Sequence, residues 1–203
     1  MLDKLKAGLE SLGLAFEEKA CDQYLAYIDL LHKWNKTYNL TAIKEPEKML
    51  ERHVLDSLSV QFFIKGQNCI DIGTGAGLPG MILAIAQPEK NWVLLDSNQK
   101  KTRFLNHVKA DLGLANVEIV HTRAESYEPD KKLDTIICRA FAPLSRIIDQ
   151  CQHLITEHNQ LLAMKGKQAG EEINALGKNQ FHIKLHNLTH TNEANLIQIR
   201  HAE

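Results

Sequence analysis

The segment Asp71-Ile72-Gly73-Thr74-Gly75-Ala76-Gly77-Leu78-Pro79-Gly80 constrains this chain more than any other. It follows a short apolar run, Cys69 to Ile72, and leads into a second, Leu78 to Ala86. Glycine reaches positive φ without a Cβ clash, so the backbone can turn sharply there and a ligand can approach it closely. A strand that ends in such a turn and opens a helix gathers backbone N–H groups and the positive end of a helix dipole. That strand needs neighbours, and the chain supplies them. Trp92 to Asp96, Val117 to Val120, Leu133 to Cys138 and Leu161 to Met164 are near-continuous apolar runs, as in strands covered on both faces. Helices expected over Leu78 to Ala86, Asn98 to Leu112 and Ala142 to Leu154 alternate with them. The pattern predicts βαβ units in a doubly wound, mostly parallel α/β sheet. Phe181 to Leu188 and Asn195 to Arg200 alternate in polarity with no helix between them. They read as an antiparallel hairpin at one sheet edge, bringing the expected sheet to seven strands.

The first 65 residues have a different character. Leu2, Leu5, Leu9 and Leu12 recur at helical spacing, and Gly13 is a natural stop. Tyr24, Leu25, Ile28 and Leu31 form a second stripe, leading into a polar, turn-forming stretch over 34–40. Pro46 opens a third helix that carries Met49, Leu50, His53, Val54, Leu58 and Val60. No strand pattern appears here. The chain therefore divides into an N-terminal helical cap, residues 1–65, and an α/β domain, residues 66–203. Hydrophobic residues at 44% and charged residues at 24% argue against a disordered or collagen-like chain. The apolar runs fall far short of the ~20 residues that cross a bilayer. The opening residues lack the apolar core of a signal peptide. A cytoplasmic protein with no membrane partner is expected, and a monomer, because no coiled-coil seam is visible. Cys21, Cys69, Cys138 and Cys151 include no C-x-x-C pair and read as reduced, buried thiols.

Two nucleotide-binding frames fit the glycine segment. Gly75-Ala76-Gly77-Leu78-Pro79-Gly80 is a dinucleotide G-x-G-x-x-G fingerprint. Asp71-x-Gly73-x-Gly75-x-Gly77 is an acidic-x-G-x-G-x-G pattern, which resembles motif I of class I S-adenosylmethionine (SAM) methyltransferases. Context favours the second. Its first glycine directly ends the strand, and a carboxylate at Asp71 would repel a pyrophosphate but suits the ammonium of a methionine moiety. Asp96 ends the second strand, 23 residues after Gly73. An acidic residue there holds ribose hydroxyls in either cofactor class.

Further blocks complete a family resemblance. They are Lys33-Trp34-Asn35-Lys36-Thr37-Tyr38-Asn39-Leu40-Thr41, Glu51-Arg52-His53-Val54-Leu55-Asp56-Ser57-Leu58 and the loop Gly73 to Gly80. After these come Leu95-Asp96-Ser97, Arg123-Ala124-Glu125, Arg139-Ala140-Phe141-Ala142-Pro143-Leu144 and Met164-Lys165-Gly166. In this order the chain resembles the RsmG/GidB family of bacterial 16S ribosomal RNA guanine-N7 methyltransferases, over residues 24–166. The resemblance implies a Rossmann-like class I fold, SAM as methyl donor, and 16S rRNA or the 30S subunit as partner. It implies that Gly73 and Leu78 line the SAM site, that Ala124 and Glu125 flank the adenine, and that Arg139 contacts SAM while facing the reaction centre. It also gives His53 a role at the substrate.

Guanine N7 has a free lone pair and no proton, so methyl transfer to it needs orientation rather than a general base. Arg139 could bond the guanine edge or a phosphate. Lys165 ends the fifth strand and should share its rim. Arg139, Lys165 and His53 are accordingly the expected catalytic residues. Net charge is −1, so RNA binding needs a local basic patch. Lys100, Lys101, Arg103, Arg123, Arg139, Lys165 and Lys167 would form it, with Arg52, Lys33 and Lys36 extending it over the cap. Trp34, Tyr38 and Phe141 are stacking platforms for an extruded base, with Trp34 better suited to the core. His182, His186 and His190 recur every four residues, but a strand scatters them, and no metal site is expected. The competing readings are an NAD(P)-dependent Rossmann oxidoreductase and a non-catalytic SAM- or RNA-binding module. The first lacks a hydride-transfer constellation such as Tyr-x-x-x-Lys.

Overall fold

The apolar runs become strands β1 (Asn68–Ile72), β2 (Asn91–Leu95), β3 (Val117–Val120), β4 (Thr135–Arg139) and β5 (Gln160–Lys165), all parallel. The tail forms β6 (Phe181–Asn187) and β7 (Asn195–His201). β7 lies antiparallel between β5 and β6, giving a seven-stranded sheet of order β3-β2-β1-β4-β5-β7-β6. The computed structural model describes residues 1–177, 181–188 and 194–202. The expected doubly wound, mostly parallel sheet with a closing hairpin is present.

Alternation along β1 sends Cys69 to one face and Ile70 and Ile72 to the other, so the sheet is covered on both sides. On the Cys69 side lie α1 (Leu2–Ser11), α2 (Glu18–Tyr38), α3 (Pro46–Met49), α4 (Asp56–Leu58), α5 (Gly80–Ala86) and α6 (Gln99–Asp111). On the other side lie α7 (Leu144–Cys151) and α8 (Ala169–Ala175). The cap shares its apolar cluster with the sheet. Leu5, Tyr27, Ile28, Leu31, Met49 and Leu50 are fully buried in the cluster that holds Met81, Trp92 and Phe104. Each such side chain contributes roughly 1.5–3 kcal/mol of burial, which fastens the cap to the α/β part.

Several boundaries differ from expectation. The first crossover helix begins at Gly80 rather than Leu78, because Thr74 to Pro79 are spent in turns that Gly73, Gly75 and Gly77 open with positive φ. α7 starts after Pro143, whose ring restricts Ala142. The short α8 carried no periodic signal. The third cap helix is interrupted: Leu50–Leu55 is a π-helical turn between α3 and α4. Such widened turns insert one extra residue and are frequent at functional sites.

Candidate active site

The site lies at the carboxyl ends of the parallel strands, where a doubly wound sheet opens a crevice. The glycine turn is held from below. Asp71 is completely buried, and its Oδ2 accepts from Thr74 Oγ1 at 2.6 Å and from Gly80 N at 2.7 Å. Burial pushes its pKa up to about 7 against the pull of those two hydrogen bonds. Sequence reasoning put this carboxylate at the ligand; the structure points it into the loop as a brace. Asp71 Oδ1 is buried without a hydrogen-bond partner among the described residues. From above, Tyr27 of the cap donates its hydroxyl to Ala76 O at 2.8 Å, the partner that a buried phenol requires. Gly77 and Leu78 are also buried, Leu78 in the apolar cluster, and neither lines the cleft beside Asp96.

Two clefts open beside this turn. One, of about 310 Å³, is lined by Gly73, Asp96, Ser97, Lys101, Arg123, Ala124, Glu125 and Phe141. Gly73 has φ +65°, and a Cβ there would collide with the Phe141 ring. Asp96 accepts from Gly75 N at 2.9 Å and Asn98 N at 2.8 Å, with Lys101 Nζ at 3.6 Å. The helix cap beside it is Asn98, which accepts from Lys100 N, so Asp96 does not cap α6. An acidic residue beyond β2, a buried alanine in the next turn and a bare glycine backbone fit an adenosine ligand such as SAM. Gly73, Asp96, Ala124 and Glu125 are thus brought together; Gly75 adjoins them through Asp96.

The other cleft, of about 490 Å³, is lined by Arg52, His53, Asp56, Arg139, Met164, Lys165 and Glu172. Ala140 and Ala142 line both clefts, so the turn after β4 is their common wall. Arg139, which the resemblance also assigns a contact with SAM, lines this second cleft and not the first. One guanidinium nitrogen donates to Arg52 O at 2.9 Å, and the other lies 3.0 Å from His53 Nδ1. His53 Nε2 lies 2.8 Å from Thr41 Oγ1. Burial, with the nearby Arg139 charge, drives the His53 pKa down to about 4, so the ring is neutral at physiological pH. Burial also lowers the Arg139 pKa, opposed chiefly by Asp56 and Tyr27. Lys165 is committed: its Nζ lies 2.8 Å from Glu172 Oε2 and donates to Ala142 O at 2.5 Å. Glu172 also accepts from Leu144 N at 2.7 Å, so this pair pins the shared wall. Lys165, expected on the phosphate-binding rim, thus carries an internal partner, as a nearly buried ammonium requires.

Lys100 and Arg103 are exposed on α6, Arg123 on the rim of the first cleft, and Lys167 after β5. Arg52 is exposed at the second cleft, with Asp56 3.8 Å away. Lys33 and Lys36 are exposed on α2. Trp34 packs against Phe104 at 5.6 Å and His107 at 5.3 Å, a core role, whereas Tyr38 is exposed. His186 lies on β6 against Phe63; His190 falls outside the described residues. Among the described residues no three His, Cys, Asp or Glu side chains gather to hold a metal ion. No described helix is long and apolar enough to cross a membrane. Sequence reasoning missed Tyr27, Thr41, Asp56 and Glu172. Thr41 and Asp56 stood inside the family blocks, but nothing in their spacing marked a role; Glu172 carried no signal.

Residues 20–201 match the GidB family, described as rRNA small subunit methyltransferase G. A ribosomal RNA small subunit methyltransferase G of Ectopseudomonas mendocina is 49% identical over 176 residues, covering 86% of this chain and 82% of the relative. The Hahella chejuensis protein of the same name is 46% identical, over 86% of this chain and 80% of the relative. In fold, a methyltransferase from Geobacter sulfurreducens superposes with a TM-score of 0.62 at 14% identity, covering 98% of this chain and 97% of its own. A SAM-dependent methyltransferase from Aquifex aeolicus gives 0.58 at 15% identity, over 75% and 92%.

Proposed function

The chain belongs to the GidB family of rRNA small subunit methyltransferases G, and we propose that it transfers a methyl group from SAM to N7 of one guanine in 16S rRNA. The observation that carries this reading is the pair of clefts meeting at Ala140 and Ala142. The first holds the cofactor, with Asp96 at the ribose, Ala124 and Glu125 at the adenine, and Gly73 giving close backbone approach. Bound there, SAM supplies an electrophilic methyl group on a sulfonium. The second cleft takes the extruded guanine. Its residues orient the base and exclude water. None needs to move a proton, since N7 carries none. His53 fits that chemistry: it is neutral and hydrogen-bonded on both ring nitrogens.

Arg139 presents a fixed cation to the guanine oxygen or its phosphate. Lys165 acts through Glu172 and the wall it pins. The exposed cations Lys100, Arg103, Arg123, Lys167 and Arg52, with Lys101 beside Asp96, offer the phosphate-binding rim that the net charge of −1 denies the whole molecule. The protein acts as a cytoplasmic monomer on rRNA or the 30S particle. The dinucleotide frame finds no support: Gly77 and Gly80 are buried, and Gly80 N is committed to Asp71.

The test uses 16S rRNA and 30S subunits from cells lacking this gene. They are incubated with the protein and radiolabelled SAM, and the product is mapped by borohydride–aniline cleavage. One N7-methylguanine is expected. SAM binding without incorporation into either substrate would overturn the rRNA assignment and leave another acceptor or a non-catalytic module.

A further inference from the structure

We propose that Thr41 is a positioning residue for methyl transfer: its hydroxyl supports the one His53 tautomer that clamps Arg139 at the acceptor cleft. This rests on the reading of Arg139 given above. A guanidinium can only donate hydrogen bonds. Its nitrogen 3.0 Å from His53 Nδ1 therefore demands a lone pair on Nδ1. A neutral imidazole with a bare Nδ1 carries its proton on Nε2. That proton faces Thr41 Oγ1 at 2.8 Å, the acceptor this tautomer needs.

The opposite tautomer lies close by. His53 Nδ1 is also 3.1 Å from Arg52 O, which would welcome a proton on Nδ1. A proton there would turn a donor toward the guanidinium and expel it. Arg52 O also accepts from Arg139 at 2.9 Å, and with two lone pairs it could take both. The guanidinium nonetheless keeps both of its anchors only with the proton on Nε2.

The chain builds a dedicated support for Thr41. α2 ends on Asn39 in the left-handed region, φ +50°, and the chain turns back. Asn35, one turn inside the helix, accepts from Thr41 N at 2.9 Å and donates to Ile43 O at 3.3 Å. Ile43 N donates to Thr41 Oγ1 at 3.2 Å, leaving the second lone pair for His53. The π-helical turn Leu50–Leu55 brings Arg52 O and the His53 ring to the guanidinium together. Substituting valine for Thr41 keeps the side-chain shape and strands the Nε2 proton. The tautomer balance then moves toward Nδ1–H, and Arg139 loses one of its two anchors.

The experiment joins spectroscopy and kinetics on the full chain. Nitrogen and carbon chemical shifts of labelled His53 distinguish the tautomers without substrate. The wild type is expected to show Nε2–H, and T41V a shift toward Nδ1–H. With 30S subunits from cells lacking the gene, T41V should lower kcat ~10-fold, the size of one interaction made in the transition state. SAM affinity by calorimetry and the melting temperature should change little. T41S, which keeps the hydroxyl, should return kcat to within about twofold of wild type. In an R139A background, T41V should add less than about twofold, because the clamp is already absent. His53 in the Nδ1–H form in the wild type would overturn the proposal, even if T41V fails to fold. So would a T41V enzyme with wild-type kcat beside a slow R139A. R139A at the wild-type rate would instead remove the role of Arg139, and the clamp's purpose with it.

Discussion

At the scale of single residues, the site runs on groups whose charge is set by burial. Asp71 shows it best. Its carboxyl has a pKa of about 7 in the fold against about 3.9 in an unfolded chain. The folded state therefore keeps a proton that the unfolded state releases between about pH 4 and pH 7. The stability this group contributes is complete below the unfolded value and is lost as pH rises through the folded one. D71N, a neutral isostere, should remove that slope. Between pH 5 and pH 8 the wild type should lose stability relative to D71N by roughly a few kcal/mol, read from denaturant melts at each pH. A constant difference across that range would show that Asp71 titrates normally. The sequence announced that an acid belonged at position 71; it did not announce which way the side chain turns. That depends on Thr74 Oγ1 and Gly80 N, which converge on the carboxylate only once the glycine turn has formed. Lys165 is the same case, since its partner Glu172 sits on a helix with no periodic signal.

At the scale of elements, strands were the legible part. Ile70, Ile136 and Leu161 stand in apolar runs bounded by turn residues, and a two-faced burial pattern survives in any order of reading. The π-helical turn was not legible, because Met49, Leu50, Val54 and Leu58 keep an apolar face with or without one extra residue. It nonetheless decides where His53 and Arg52 O point. Deleting the exposed Glu51 should return this stretch to regular α-helix. The circular dichroism spectrum and SAM affinity should hold. The transfer rate should fall by ~100-fold or more, the cost of misplacing a site group by about an ångström. A deletion enzyme with wild-type rate would show that the widened turn has no part in the site.

At the scale of the whole molecule, charge is nearly balanced, so attraction to RNA must be local. Lys100 and Arg103 stand exposed on α6, on the α2 side of the sheet where Lys33 and Lys36 are also exposed. K100E and R103E should weaken rRNA binding. Each should also reduce the slope of log affinity against log salt by ~0.7–0.9 for every phosphate that is no longer neutralised, with SAM affinity unchanged. An unaltered slope would place the RNA on another face. The hydroxyl of Tyr27, anchored in the cap, grips the carbonyl of Ala76 inside the glycine turn. Cap helix and glycine turn are thereby tied directly to one another. A ligand that stiffens either end lowers the cost of ordering the other, and thermodynamic reciprocity makes the benefit mutual. On the function proposed above, rRNA that settles on the cap should tighten the hold on the methyl donor, and a loaded enzyme should be the better reader of RNA.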